Sequence, residues 1–133
     1  MIQPGHQHIR VLLVDDEVDY VNVLANRLTR RGLDVTRAVS GAEAVQAVRR
    51  QDFDVAILDL KMEDMDGIEV LRIVKQMDPS LEVIMLTGHG SQTAANDGIR
   101  YGAFDYLIKP CDMEDLLAKI TAAYHSRREE QPG

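Results

Sequence analysis

Val55-Ala56-Ile57-Leu58-Asp59-Leu60 is an apolar run broken by one carboxylate. Short, nearly continuous apolar runs suit strands buried on both faces, as in a parallel sheet covered by helices. Ile9–Val14 and Glu82–Leu86 share this texture. Leu33–Ala38 and Phe104–Ile108 are more mixed and suit edge strands.

The segments between these runs carry helical spacing. Val18, Val21, Leu24 and Leu28 form one stripe, stopped by Gly32. Ser40-Gly41-Ala42-Glu43 has the spacing of a capping box and opens a helix carrying Ala44, Val45, Ala47 and Val48. Val70, Ile73, Val74 and Met77 form a third stripe, ended by Pro79. A weaker helix spans about Gln92 to Tyr101; its Asn96-Asp97-Gly98 are poor helix formers and predict mobility. Asp112 caps a last helix that turns Met113, Leu116, Leu117 and Ile120 inward. Strict alternation of strand and helix means an α/β fold with right-handed crossovers. Two mixed strands at the edges predict a doubly wound, flavodoxin-like, five-stranded parallel sheet of order 2-1-3-4-5.

Length and charge fit this picture. The 133 residues suit one domain, expected over residues 9–126, with flexible polar tails at 1–8 and 127–133. Fifteen basic and 22 acidic residues give a net charge of −7, which argues against binding nucleic acid or anionic lipid through bulk charge. Cys111 is the lone cysteine, which excludes an internal disulfide and a Cys-rich zinc site; it reads as a small apolar residue. No apolar run approaches the roughly 18 residues of a membrane span, and Met1–Arg10 does not resemble a signal peptide, so a cytoplasmic protein is expected. His6 and His8 lie in the N-terminal tail and are not read as ligands.

Open parallel sheets bind ligands beyond the carboxyl ends of their strands. Asp15 and Asp16 follow the first strand, Asp59 closes the third, Thr87 and Gly88 the fourth, and Lys109-Pro110 the fifth. Three carboxylates, a hydroxyl and an ammonium therefore meet on one rim. Two unit charges about 4 Å apart repel by about 4 kcal/mol at an effective dielectric of about 20. A proton or a cation must relieve that repulsion. Lys109 supplies one positive charge and a divalent ion completes neutrality. An all-oxygen donor set favours Mg²⁺ over zinc. A carboxylate nucleophile, a Lewis acid, a cation and a hydroxyl donor are the parts for phosphoryl transfer to an aspartate.

Asp15-Asp16, the run Asp59-Leu60-Lys61-Met62-Glu63-Asp64-Met65-Asp66-Gly67, Thr87-Gly88 and Lys109-Pro110 resemble the receiver domain of two-component response regulators. The resemblance spans roughly residues 9–125, and four motifs in order, each at a strand end, make it specific. It implies that Asp59 accepts a phosphoryl group from a phosphohistidine on a sensor histidine kinase or phosphotransfer protein. It implies Mg²⁺ held by Asp16, Asp59 and the backbone carbonyl of Lys61, with Asp15 bound more often through water. Thr87 and Lys109 then bind phosphoryl oxygens, Gly88 leaves the approach open, and Tyr106 is the switch aromatic of a face built from the fourth helix, fifth strand and fifth helix. Dimerisation through that face on phosphorylation is an open outcome. The side chains of Lys61 and His89 occupy places that modulate acyl-phosphate hydrolysis. Glu63 stands where the family usually has proline, which predicts a less rigid loop, and Cys111 where an aromatic is common. Thr87-Gly88-His89-Gly90 resembles receivers attached to AAA-type transcriptional activators, yet nothing after residue 126 would form such a module. A stand-alone or excised receiver with an unknown downstream effector is expected.

Two other classes compete. An aspartyl-phosphate phosphohydrolase would want a second acid two residues after the nucleophile, where Lys61 stands. A vestigial binding module would not keep every site position filled. A flavin carrier would want a phosphate loop where Asp15-Asp16-Glu17 repel phosphate. The expectation is a switch that assists its own phosphorylation and dephosphorylation, not an enzyme acting on a separate metabolite.

Overall fold

The computed structural model describes residues 8–88 and 92–130, without the side chains of residues 92 and 128–130. The order of elements is β1 (Arg10–Val14), α1 (Val18–Arg30), β2 (Asp34–Ala38), α2 (Gly41–Arg50), β3 (Val55–Asp59), α3 (Gly67–Met77), β4 (Glu82–Thr87), α4 (Gln92–Arg100), β5 (Asp105–Ile108) and α5 (Met113–Glu130). All five strands are parallel, in the order β2-β1-β3-β4-β5. The central three are almost wholly buried, and the two mixed runs form the edges.

Side chains alternate along each strand, so the sheet feeds two cores. Val11, Leu13, Ile57, Ile84 and Leu86 face Val21, Leu24 and Leu28 of α1 and Leu116, Leu117 and Ile120 of α5. Leu12, Val14, Ala56, Leu58, Val83 and Met85 face Ala44 of α2 and Val70, Leu71 and Val74 of α3. Each fully buried Val, Leu, Ile or Met side chain among these contributes about 1.5–3 kcal/mol. Parallel strands butted against helices on both faces leave only their ends free for chemistry.

The helix boundaries follow local chemistry. Ser40 Oγ accepts the Glu43 N–H, and Glu43 Oε1 accepts that of Val39, which closes the start of α2. Asp66 Oδ1 accepts the Ile68 N–H at the start of α3. Gly98 is a close contact of α4, on the same face as buried Ala95: a Cβ there would stand 2.0 Å from Met85 Sδ, so a residue that weakens the helix lets it settle on β4.

Two expectations shift. Val18 is 52% exposed, because Tyr20 takes the inward place in the first turn of α1. Met77 is exposed and Leu71 is buried, since the inward face of α3 runs through Gly67, Val70, Leu71 and Val74. The last helix, α5, runs from Met113 through Glu130. Its C-terminal end is anchored: Arg127 Nη1 lies 3.2 Å from Oδ1 of buried Asp54, which also takes the Nε, Nη2 and backbone N–H groups of Arg10.

Candidate functional site

Register places the acids. Val14 of β1 lies beside Leu58 of β3, so the next residues, Asp15 and Asp59, emerge side by side. Oxygens of Asp15, Asp16 and Asp59 all lie within 4.8 Å of one another. Asp15 and Asp59 are buried and Asp16 is half-buried. Three hard oxygen donors this close fit a divalent cation such as Mg²⁺.

Local hydrogen bonds hold each acid in place. Asp15 Oδ1 accepts the Glu17 N–H at 3.0 Å, which turns the chain into α1. Asp16 Oδ2 accepts the Glu63 N–H at 3.1 Å and ties the β3–α3 loop to the β1–α1 loop. A proline at residue 63 would lack that donor, so Glu63 pins the loop. Asp59 Oδ1 accepts the Lys61 N–H at 3.3 Å, while the Lys61 side chain is exposed. Gly67 closes the loop from beneath: a Cβ there would come within 2.5 Å of Leu60 Cα and 2.8 Å of the Asp59 carbonyl oxygen.

Lys109 enters from the far edge. Its N–H donates to the Thr87 carbonyl at 2.7 Å, which fixes the end of β5 against β4. Its Nζ reaches 2.6 Å from Asp15 Oδ2 and 3.8 Å from Asp59 Oδ1. Burial depresses the Lys109 ammonium, but the Asp15 hydrogen bond and both carboxylates outweigh it and raise its pKa. Asp59 is pushed up to about 6, first by burial, then by repulsion from Asp15; Lys109 and the Lys61 N–H pull the other way.

Thr87 is buried at the end of β4. A Cβ on Gly88 would meet nothing within 4 Å, so the chain above Thr87 is open there. Tyr106 is half-buried on β5, beside Met85, and packs on the α2–α3 core. His89 lies outside the described residues, as does His6. Cys111 is half-buried against the α1–α5 core, in keeping with an apolar role.

Two further residues shape the site. Asp64 accepts the N–H groups of Gly41 and Ala42 at 2.9 and 3.0 Å, which lowers its pKa and ties the loop after Asp59 to the start of α2. Its place in an acidic run concealed a cap for a different helix. The ring of Tyr20 lies over Lys109 Nζ, 4.6 Å from its centroid. The spacing of α1 pointed to Val18 on that turn; only the rotation of the folded helix brings Tyr20 to the rim.

Comparisons with known proteins agree with this architecture. The family model of the response regulator receiver domain matches residues 11–121. The transcriptional regulatory protein ZraR of Escherichia coli K12 is 38% identical over 130 residues, covering 96% of this chain and 30% of that protein. The DNA-binding transcriptional regulator NtrC of Proteus hauseri is 40% identical over 124 residues, covering 92% and 26%. The chain thus spans less than a third of the length of these curated relatives. A CheY-like response regulator receiver domain protein from Methanospirillum hungatei JF-1 superposes with a TM-score of 0.88 at 29% identity, covering 93% of this chain and 99% of that one.

Proposed function

Because the chain belongs to the response regulator receiver family, we propose that it is a phosphorylation-dependent switch in which Asp59 accepts a phosphoryl group from the phosphohistidine of a sensor histidine kinase or phosphotransfer protein. The observation that carries this reading is the nest of Asp15, Asp16 and Asp59 within 4.8 Å, spanned by one ammonium. A carboxylate oxygen of Asp59 bonds to phosphorus as the phosphorus–nitrogen bond breaks. The electron pair leaves with the imidazole nitrogen, and Asp59 becomes an acyl phosphate.

Asp15, Asp16 and Asp59, with the backbone carbonyl of Lys61, would hold Mg²⁺. Bound there, the ion supplies charge neutralisation and Lewis acidity. Lys109 pairs with a phosphoryl oxygen from the side of Asp15. Thr87 donates its hydroxyl to another, and that movement biases Tyr106 and the α4-β5-α5 face. Exposed Lys61, and His89 two residues after Thr87, modulate hydrolysis of the acyl phosphate. The chemistry serves the chain's own phosphorylation state and not turnover of a metabolite. The transcriptional regulators among its relatives support transcription as the process reported to, through an effector still to be identified. A cytoplasmic location goes with this reading; no helix among the described residues is long and apolar enough to cross a membrane.

Intact-mass measurement with Mg²⁺ and a small acyl-phosphate donor tests it. The wild type gains one phosphoryl group, and Asp59→Ala gains none. Equal labelling of both, or a folded, metal-loaded wild type that takes no phosphoryl group, overturns the assignment.

A further inference from the structure

We propose that Tyr20 is a positioning residue for Lys109, its ring face holding the ammonium over the acidic nest. The proposal deepens the phosphoryl-accepting reading and rests on it. Lys109 follows β5, an edge strand, while Asp15 follows β1, with β3 and β4 between them. The side chain must therefore reach across two strand ends to bring Nζ to 2.6 Å from Asp15. A lysine stem has about four freely rotating bonds, and holding it extended costs conformational entropy. Asp15 and Asp59 attract its tip, and the Tyr20 ring lies 4.6 Å from the same nitrogen. That is within the distance of about 6 Å at which an aromatic face attracts a cation. Tyr20 is itself braced, half-buried against the α1–α5 core.

The ammonium has two opposed effects on this site. It repels a divalent cation from the carboxylates, and it draws in phosphoryl oxygens. Holding Nζ over the nest weakens metal binding and speeds transfer. Without the ring, Nζ has an outlet to solvent, since its side chain is already 20% exposed. Loss of the ring therefore tightens Mg²⁺ binding while slowing phosphorylation. General damage to the site would weaken both, so the opposite signs identify the positioning role.

The test measures the Mg²⁺ Kd by calorimetry without a phosphoryl donor, and the rate of Asp59 phosphorylation by intact mass with Mg²⁺ and a small acyl-phosphate donor. Tyr20→Leu is expected to phosphorylate about 3- to 10-fold more slowly, with a lower Mg²⁺ Kd. Tyr20→Phe keeps the ring face and restores both wild-type values. A trifluorinated phenylalanine at position 20 keeps the shape but drains the ring face, so it should move both values towards those of Tyr20→Leu; it carries the test if the leucine variant does not fold. In a Lys109→Met background, Tyr20→Leu should leave the Mg²⁺ Kd unchanged. A joint fall in affinity and rate, a phenylalanine variant that behaves like leucine, or a Mg²⁺ effect that persists without Lys109 overturns the proposal. A wild type that binds Mg²⁺ but takes no phosphoryl group overturns the functional reading instead, and the Mg²⁺ measurements still judge Tyr20.

Discussion

Lys109 Nζ lies 2.6 Å from Asp15 and 3.8 Å from Asp59, so one ammonium is divided unequally between two buried acids. Asp59 receives the smaller share. Burial and the neighbouring Asp15 then lift its pKa to about 6. An acid in this state is poorly neutralised in the resting fold and gains most from an incoming cation. It is nonetheless mostly ionised above pH 7, the state that the proposed attack on phosphorus would require.

The raised pKa has a cost in stability. In the unfolded chain Asp59 ionises near 3.8, in the fold near 6, so between these values the folded state holds more protons. Its share of stability is intact below pH 4 and declines as pH rises through 6. A shift of about two units corresponds to about 3 kcal/mol. Asp59→Asn cannot ionise and should be more stable than the wild type by up to that amount at pH 7.5. The advantage should vanish towards pH 4. Urea unfolding of both proteins in chelator across this range measures the difference; a gap independent of pH refutes the cause.

The same group should make metal binding depend on pH, because a proton on Asp59 would compete with Mg²⁺ for the carboxylate. One unit below a pKa of about 6, only about one molecule in eleven has Asp59 ionised. The apparent Mg²⁺ Kd should therefore weaken about tenfold between pH 7.5 and pH 5. At pH 7.5, Mg²⁺ at about 100 times its Kd should stabilise the fold by about 2.7 kcal/mol, and chelation should reverse this. Asp59→Asn should bind more weakly and lose most of the pH dependence. Calorimetric titration at the two pH values decides it.

The strand-end acids were legible in the sequence because topology does the assembly. Once Val55–Leu60 reads as a central parallel strand, Asp15, Asp59, Thr87 and Lys109 have only one rim on which to emerge. The rotation of α1 was not legible. Val18 and Tyr20 both suit a first turn, and only packing against the α1–α5 core selects Tyr20. Asp64 and Asp54 were missed for a similar reason. Their partners, Gly41 and Ala42 for one and Arg10 and Arg127 for the other, lie 22 to 73 residues away and become neighbours only in the fold.

Two glycines make opposite demands. At Gly67 a methyl group would strike the backbone of Leu60 and Asp59, which cannot yield without moving Asp59 itself. Gly67→Ala should cost about 3 kcal/mol, the upper end for overpacking, and should slow phosphorylation. At Gly98 the obstacle is the flexible end of Met85, and alanine regains about 1 kcal/mol of helix propensity. Gly98→Ala should lose no more than about 1–2 kcal/mol net. Chemical denaturation of the two variants ranks them; equal losses would mean that Met85 cannot reorient.

Asp54 tests whether the opposite end of the sheet is a structural lock without a part in the chemistry. It is buried and takes the guanidinium groups of Arg10 and Arg127 as well as the Arg10 backbone N–H. Its two cations differ. The Arg10 side chain is 42% exposed and can turn to water, whereas that of Arg127 is 13% exposed. Removing the carboxylate strands the second charge, and breaking a buried pair in this way costs about 3–5 kcal/mol. Asp54→Ala should fall at the lower end, about 3 kcal/mol, because Arg10 is rehydrated. Adding Arg127→Ala should recover part of the loss, since the stranded charge goes with it. Asp54 emerges before β3 and Asp59 ends it, so under conditions where the variants stay folded, the rate of Asp59 phosphorylation should match the wild type. Urea melts of the single and double variants, paired with phosphorylation rates, separate the two roles. A double variant less stable than Asp54→Ala would show that Arg127 holds α5 by packing and not by charge.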